Sequence, residues 1–209
     1  MVKTRKNLKN ALIELLGEHK ISEISIQKIT DTAHVTRGTF YLHYEDKNDF
    51  ISRTLAEIMT GFFDAVIVRA DYVNDKWQYG ENGNFRLFSI NKAFDYIEEN
   101  AKTFDVLLNK YENDDFRAEF ESKLSKLLTE FFDQSKTMLN STDGSKFSTD
   151  ALSDDILIAY LVSAHIGIIQ LWLQGGMKYT ARYMTKSVDQ INDAIEAQFP
   201  VSGFFVSQL

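Results

Sequence analysis

Residues Thr36-Arg37-Gly38-Thr39-Phe40-Tyr41-Leu42-His43-Tyr44 concentrate side chains suited to binding a polyanion. The Arg37 guanidinium matches guanine O6 and N7 in a bidentate pair, or a single phosphate, and both roles stand open. Gly38 leaves room for a close backbone approach. Thr39 suits a thymine methyl or a phosphate oxygen. Thr36 and Tyr41 offer hydroxyls to phosphates, His43 faces the same backbone, and Lys47 adds charge beside a helix start that itself favours anions. Upstream, Ser25 and Gln27 are further candidate phosphate anchors. Between these polar groups, Phe40 and Tyr44 fall at helical spacing and read as core.

Short helices must position this set. Leu8, Ala11, Leu12, Leu15 and Leu16 form one apolar helical stripe. Ser25 is a suitable N-cap for a second helix to about Ala33, buried through Ile26, Ile29 and Ala33. Thr36 caps the third. Val35, Phe40 and Tyr44 then close a small core over the first helix. Two short helices across a tight turn are a helix-turn-helix, whose second member lies in a DNA major groove.

Beyond this head, Glu45 to Asp49 reads as a helix start, and the pattern predicts a long helix to about Val73, burying Phe50, Leu55, Ile58, Phe62 and Val66. Residues 74–84, with Gly80 and Gly83, read as a loop. Helical pattern resumes near Phe85, breaks around Asn100 and continues to Tyr111. Another helix runs from Asp115 to Leu139, and residues 140–150 read as an exposed loop. Ile156 to Leu173 is long and apolar enough for a membrane span, but Tyr160, Ser163, His165 and Gln170 interrupt it and basic anchors are sparse. A helix buried in protein or at a subunit interface is the preferred reading, with no membrane. Gly175-Gly176 ends it. A last helix from Lys186 to Phe199 carries Val188, Ile191, Ile195 and Phe199 on one side, with Pro200 as its stop.

The net charge of −7 hides an asymmetry. Through Arg53 the chain is +2, and the remainder is −9. An acidic body repels phosphate, so only the head docks on a duplex. The absence of cysteine and of an apolar leader segment fits a reducing cytoplasm. Nothing marks an enzyme or a bound cofactor. There is no phosphate-cradling glycine loop, His19, His34, His43 and His165 are scattered, and adjacent acids such as Glu98-Glu99 point apart on a helix. No catalytic residue and no metal site is assigned.

The stretches Ile26-Gln27-Lys28-Ile29-Thr30-Asp31-Thr32-Ala33 and Val35 to Tyr44, followed by Lys47 and Phe50, resemble the N-terminal pattern of the TetR family of bacterial transcription regulators. The match covers roughly residues 4 to 55, and Trp172-Leu173-Gln174-Gly175-Gly176-Met177 looks like the end of that family's penultimate helix. One departure is His34, where the family usually has glycine. With positive φ a histidine costs about 1 kcal/mol more.

The resemblance implies an all-α homodimer: a helix-turn-helix domain over residues 1–46, and a helical effector-binding and dimerisation domain over 47–209. It implies that the last two long helices pair in a four-helix bundle, a central domain holds a small-molecule effector, and the long fourth helix is the lever between them. Phe62, Phe104, Leu108 and Trp172 lie on the helices that enclose the family's cavity. His165 joins them as a pocket candidate because an imidazole in an apolar helix needs a partner, although a satisfied core histidine is the commoner case. Ser163 and Gly167, four apart, permit close helix approach, and with Ile191 and Ile195 they mark the dimer interface. The expected function is a ligand-responsive repressor on double-stranded DNA, binding a pseudo-palindromic operator in the bacterial cytoplasm. The alternative is a co-activator or interaction protein working through a protein partner.

Overall fold

The computed structural model describes residues 2–74, 76–111, 115–140, 153–196 and 203–207. They form nine α-helices and a four-stranded sheet, divided into two compact units. The first holds residues 1–61 and 100–118, and the second holds 62–99 and 119–209. The division expected after residue 46 falls inside the first unit, because the start of the fourth helix and the segment after Asn100 cluster with the head.

The first unit begins with α1 (Val2–Leu16), which buries Leu8 and Leu12 completely. After a 3₁₀ turn at Ile21–Glu23 come α2 (Ile26–Thr32) and α3 (Arg37–Tyr41). Both caps are where the side-chain chemistry puts them. Ser25 Oγ accepts from Lys28 N at 3.1 Å, and Thr36 Oγ1 accepts from Thr39 N at 3.1 Å. Between the two helices His34 sits at φ 54°. Its N–H donates to Asp31 O, and Val35 N–H donates to Thr30 O, the two reverse bonds of a Schellman turn. Val35, expected in the core, is only half-buried.

Helix α4 (Lys47–Val66) starts at Asp46, whose carboxylate accepts from Asp49 N at 2.8 Å. Phe50, Ile58, Phe62 and Val66 are buried as expected, and Leu55 is half-buried. The helix stops at Val66, and the expected continuation to Val73 is instead strand β1 (Ile67–Val73). The expected loop contains β2 (Lys76–Tyr79), and the helix expected from Phe85 begins as β3 (Phe85–Ser89) before α5 (Ile90–Glu99). The physical signal is period two. Val68 and Ala70 turn inward while Arg69 faces out, and Phe85 and Leu87 are buried while Arg86 is exposed.

The strands run in the order β2-β1-β3-β4. β1 pairs antiparallel with β2, Val73 opposite Lys76, and with β3, Ile67 opposite Phe88. Strand β4 (Phe205–Val206) pairs parallel with β3. The sheet rests on Phe131 of α7 (Asp115–Asn140), whose ring meets Trp77, Phe85 and Phe204.

After the break at Asn100 come α6 (Ala101–Asp105) and a turn of π-helix, Val106–Lys110. The last two helices are α8 (Asp154–Gln174) and α9 (Ala181–Glu196). α8 is long and apolar enough to cross a membrane, yet half of its apolar stretch is buried within the protein. Gly176 and Met177 close it in a second Schellman turn onto Leu173 and Trp172. α9 starts five residues before the expected Lys186, at a site where Glu98 of α5 accepts from Ala181 N at 3.2 Å. Of the loop expected over 140–150, Asn140 is the last residue of α7 and 141–150 lie outside the described residues, as do Phe199 and the Pro200 stop.

The left-handed backbone at residue 34 sets a testable cost. His34→Gly should leave stability unchanged or raise it by as much as about 1 kcal/mol, and His34→Val should lower it by about 1–2 kcal/mol. Urea unfolding of the two variants beside the parent measures the difference.

Candidate nucleic-acid interface and effector cavity

Helix α3 has five residues, and two interactions hold it. The Thr36 cap fixes its start, and Phe40, fully buried, anchors its underside. The Phe40 ring lies 5.5 Å from Tyr44 and 5.4 Å from Phe50 of α4. This aromatic cluster turns the opposite side of α3 outward. Thr36, Arg37, Gly38 and Tyr41 are exposed, and Thr39 and His43 are half-buried. The Arg37 guanidinium reaches Tyr41 Oη at 3.4 Å, one helical turn on. Thr36 Oγ1 also bonds Thr39 Oγ1 at 2.9 Å, so both hydroxyls are engaged in capping.

Ser25 and Gln27 are exposed at the start of α2. Ser25 is occupied as a cap, and Gln27 Nε2 donates to Asp31 at 2.6 Å. Lys47 is placed differently from its expected role as a free cation. Its ammonium donates to the carbonyls of Ile21 at 3.0 Å and Ile24 at 3.1 Å, tying the start of α4 to the turn before α2. Sequence reasoning passed over Leu42, which is 82% exposed beside Tyr41. An apolar side chain in the open, next to buried Phe40, was the available sign.

Gly38 is informative by what surrounds it. Its backbone is helical, and an added Cβ would meet only Thr36 Oγ1, at an ordinary 3.7 Å. The fold therefore has no steric need for glycine here, although glycine in a helix costs up to about 1 kcal/mol against alanine.

In the second unit a cavity of about 10 Å³ is lined by Phe88, Phe94, Phe120, Leu124, Ile169 and His165, among others. That is room for about one water. Of the five expected pocket residues, the cavity brings in His165. Phe62 is buried in an aromatic cluster with Phe63, Phe88, Tyr96 and Phe120. Trp172 is buried against Phe94, with its Nε1 donating to Tyr179 O at 2.7 Å. Phe104 and Leu108 are buried residues of the first unit.

His165 has a complete set of partners. Nδ1 donates to Leu161 O at 2.7 Å, which leaves Nε2 as acceptor, facing Asn192 Nδ2 of α9 at 3.4 Å. Phe205 stacks flat on the ring, 3.8 Å between centroids and 10° between planes. Enclosure in this apolar setting pulls the imidazole down to about 4, against the opposing pull of the Leu161 carbonyl.

On α8, Ile156 (58% exposed), Tyr160, Ser163, Gly167 and Leu171 (71%) form one exposed row at helical spacing. An added Cβ at Gly167 would meet nothing within 4 Å. Tyr183 and Ile191 are exposed on α9, and Ile195 is half-buried.

A helix-turn-helix head carried by a helical body, with a polar, outward-facing short helix, defines a DNA-binding transcription regulator. The comparisons agree. Residues 10–54 match the model of the tetR family of bacterial regulatory proteins, and residues 88–193 match the C-terminal region of a transcriptional regulator group of that family. The chain belongs to the TetR family. It is 25% identical over 103 residues to the "Uncharacterized HTH-type transcriptional regulator YxbF" of Bacillus subtilis (strain 168), covering 49% of this chain and 26% of that protein. It is 35% identical over 51 residues to the "Probable acrEF/envCD operon repressor" of Escherichia coli (strain K12), covering 24% of this chain and 23% of that protein. The chain thus spans about a quarter of the length of these curated relatives. The transcriptional regulator FadR from Bacillus subtilis, solved in complex with stearoyl-CoA, has the same fold, with a TM-score of 0.53 and 17% identity over 88% of this chain and 94% of that one.

The neutral state of His165 has a consequence for stability. An unfolded histidine takes up its proton near pH 6.5, and the folded one does so only near 4. Between those values the unfolded state binds more protons, so stability falls as pH drops from 6.5 to 4 and is unaffected above 6.5. The loss is at most about 3 kcal/mol. Urea midpoints measured across pH 4–8 should show this slope in the parent and lose it in His165→Gln.

Proposed function

We propose that this protein is a ligand-responsive repressor that binds a pseudo-palindromic DNA operator as a homodimer in the bacterial cytoplasm. The observation that carries the reading is Gly38. A glycine kept in an exposed helix that does not need it makes sense when a duplex presses against that helix. Arg37 beside it reads a base or grips a phosphate. Tyr41 and His43 flank it toward the backbone, and Thr36 and Thr39 hold the helix start while presenting its N–H groups to phosphate. Ser25 and Gln27 do the same at α2. Lys47 acts chiefly by bracing the head. Residues 1–46 then form the reading part, and residues 47–209 the sensing and pairing part.

Pairing follows from the exposed row on α8. Ile156, Tyr160 and Leu171 are costly to leave in water, and Ser163 and Gly167 let a second helix approach closely. Tyr183, Ile191 and Ile195 of α9 complete the face. A twofold pair places two α3 helices one helical turn of DNA apart. The apolar cavity beside His165 is the site for a small effector, which acts by favouring one spacing of the two heads. Repressor action rests on the likeness to the E. coli operon repressor over the head. The ligand-responsive reading is supported by FadR of Bacillus subtilis, which was solved in complex with stearoyl-CoA.

Operators selected from a random duplex pool provide the test. Arg37→Ala should weaken operator binding by about tenfold or more without altering the melting temperature. Gly38→Ala should separate the two properties, stabilising the free protein by up to about 1 kcal/mol while weakening its grip on DNA. An unchanged operator affinity in both variants would falsify the assignment of α3 as the reading helix.

The pairing face has its own test. Gly167→Trp has room within the subunit, so helicity should be retained while solution scattering reports half the parent's mass. A parent that is already monomeric at micromolar concentration removes the dimer from the proposal.

A further inference from the structure

Leu42 follows the last residue of α3 and continues its helical turn, with its N–H donating to Gly38 O at 3.2 Å. Successive helical residues turn by about 100°, so Leu42 stands roughly 200° from the Phe40 anchor, on the side away from the core. Its side chain is 82% exposed as a result. A lone leucine on a surface carries no message of its own. This one shares a face with Gly38, four residues before it, and with exposed Tyr41. That is the outward face of the short helix in the head of a DNA-binding regulator.

Two features give that face a small apolar notch. A helical side chain leans toward the helix N-terminus and covers the turn before its own Cα, which for Leu42 is the turn of Gly38. Gly38 has no side chain of its own there, and an added Cβ would meet only Thr36 Oγ1, at 3.7 Å. The open ground beside Leu42 therefore has room for one methyl group, with the Gly38 backbone as its floor. Thr39, the other candidate for an apolar base contact, is half-buried with its hydroxyl bonded to Thr36.

We propose that Leu42 and Gly38 together read the C5-methyl group of one thymine in each operator half-site. This rests on the reading of α3 as the helix in the groove and goes further in naming the base and the group on it. Along the major-groove edge every base pair offers hydrogen-bonding atoms, and the thymine methyl is the apolar exception. Leu42 seated on a polar edge would strip water from a donor or acceptor and return nothing. Seated on the methyl, it buries apolar surface on both partners. The reach is sufficient. Leu42 lies about 7.5 Å along the helix axis from Arg37, roughly two base-pair steps of about 3.4 Å, so both residues fall within one half-site.

The test replaces thymine by deoxyuridine, one position at a time, in an operator that the full chain has selected from a random duplex pool. Deoxyuridine pairs as thymine does and lacks only the methyl. At one position per half-site the parent should lose about fourfold in affinity, the worth of one buried methyl. Leu42→Ala should bind the operator more weakly than the parent and treat thymine and uracil alike at that position. Gly38→Ala, which fills the notch, should also treat them alike, and Leu42→Met should keep the distinction. Melting temperatures of the two Leu42 variants should match the parent's, because the side chain is exposed in the free protein. A parent insensitive to uracil at every position, or undiminished discrimination in Leu42→Ala, would overturn the proposal. So would an equal loss by Leu42→Ala on operator and random duplex, which marks a sugar-phosphate contact instead. Arg37→Ala separates the failures. If it loses the operator while uracil is neutral, α3 remains the reading helix and only the methyl assignment falls; if the parent selects no operator, both fall.

Discussion

A helix of five residues cannot hold itself together, because nucleation costs more than one or two hydrogen bonds return. Everything that α3 does depends on the burial of Phe40 against Tyr44 and Phe50, with Thr36 satisfying the helix start. That packing decides which side of the helix faces solvent. It also explains why Lys47 is drawn inward. Its ammonium on two carbonyls ties the start of α4 to the turn before α2.

The body of the protein is organised by the same economy of aromatic burial, with a different result. Phe62, Phe63, Phe88 and Phe120 pack as one cluster, and Phe88 and Phe120 leave only a small cavity beside His165. Burial in this apolar setting lowers the His165 imidazole to about 4. Its two nitrogens find a carbonyl and an amide, and its face finds Phe205. The ring of Phe205 in β4 thus packs on a residue that also lines the cavity.

Two glycines carry information because the fold does not ask for them. Gly38 and Gly167 sit in helices with open space around them, at a cost in helix propensity. Gly203 is the contrast, since its backbone angle and the Trp77 ring leave no room for a side chain. The first pair faces open space, and the third faces packing.

Much of the head was legible in the residues alone: the apolar stripe of α1, the Ser25 and Thr36 caps, the strained place of His34 and the core role of Phe40 and Tyr44. Those features are local, set by side chains acting within a turn or two of their own backbone. The sheet was not legible in the same way. The stripe of α4 runs into Ile67 and Val68 without a breaker, and only the alternation of inward and outward residues, satisfied by pairing with β3, turns that run into a strand. β4 lay beyond local reading altogether, since two residues carry no period and gain their structure from Phe88, more than a hundred positions away in the chain but adjacent in space. Sequence alone determined the short helices of the head, with their caps and the rings that anchor them. Tertiary structure decided which of the buried rings surround an empty space, which cation is spent on bracing, and where the chain's end comes to rest, because those outcomes depend on contacts between residues far apart along the chain.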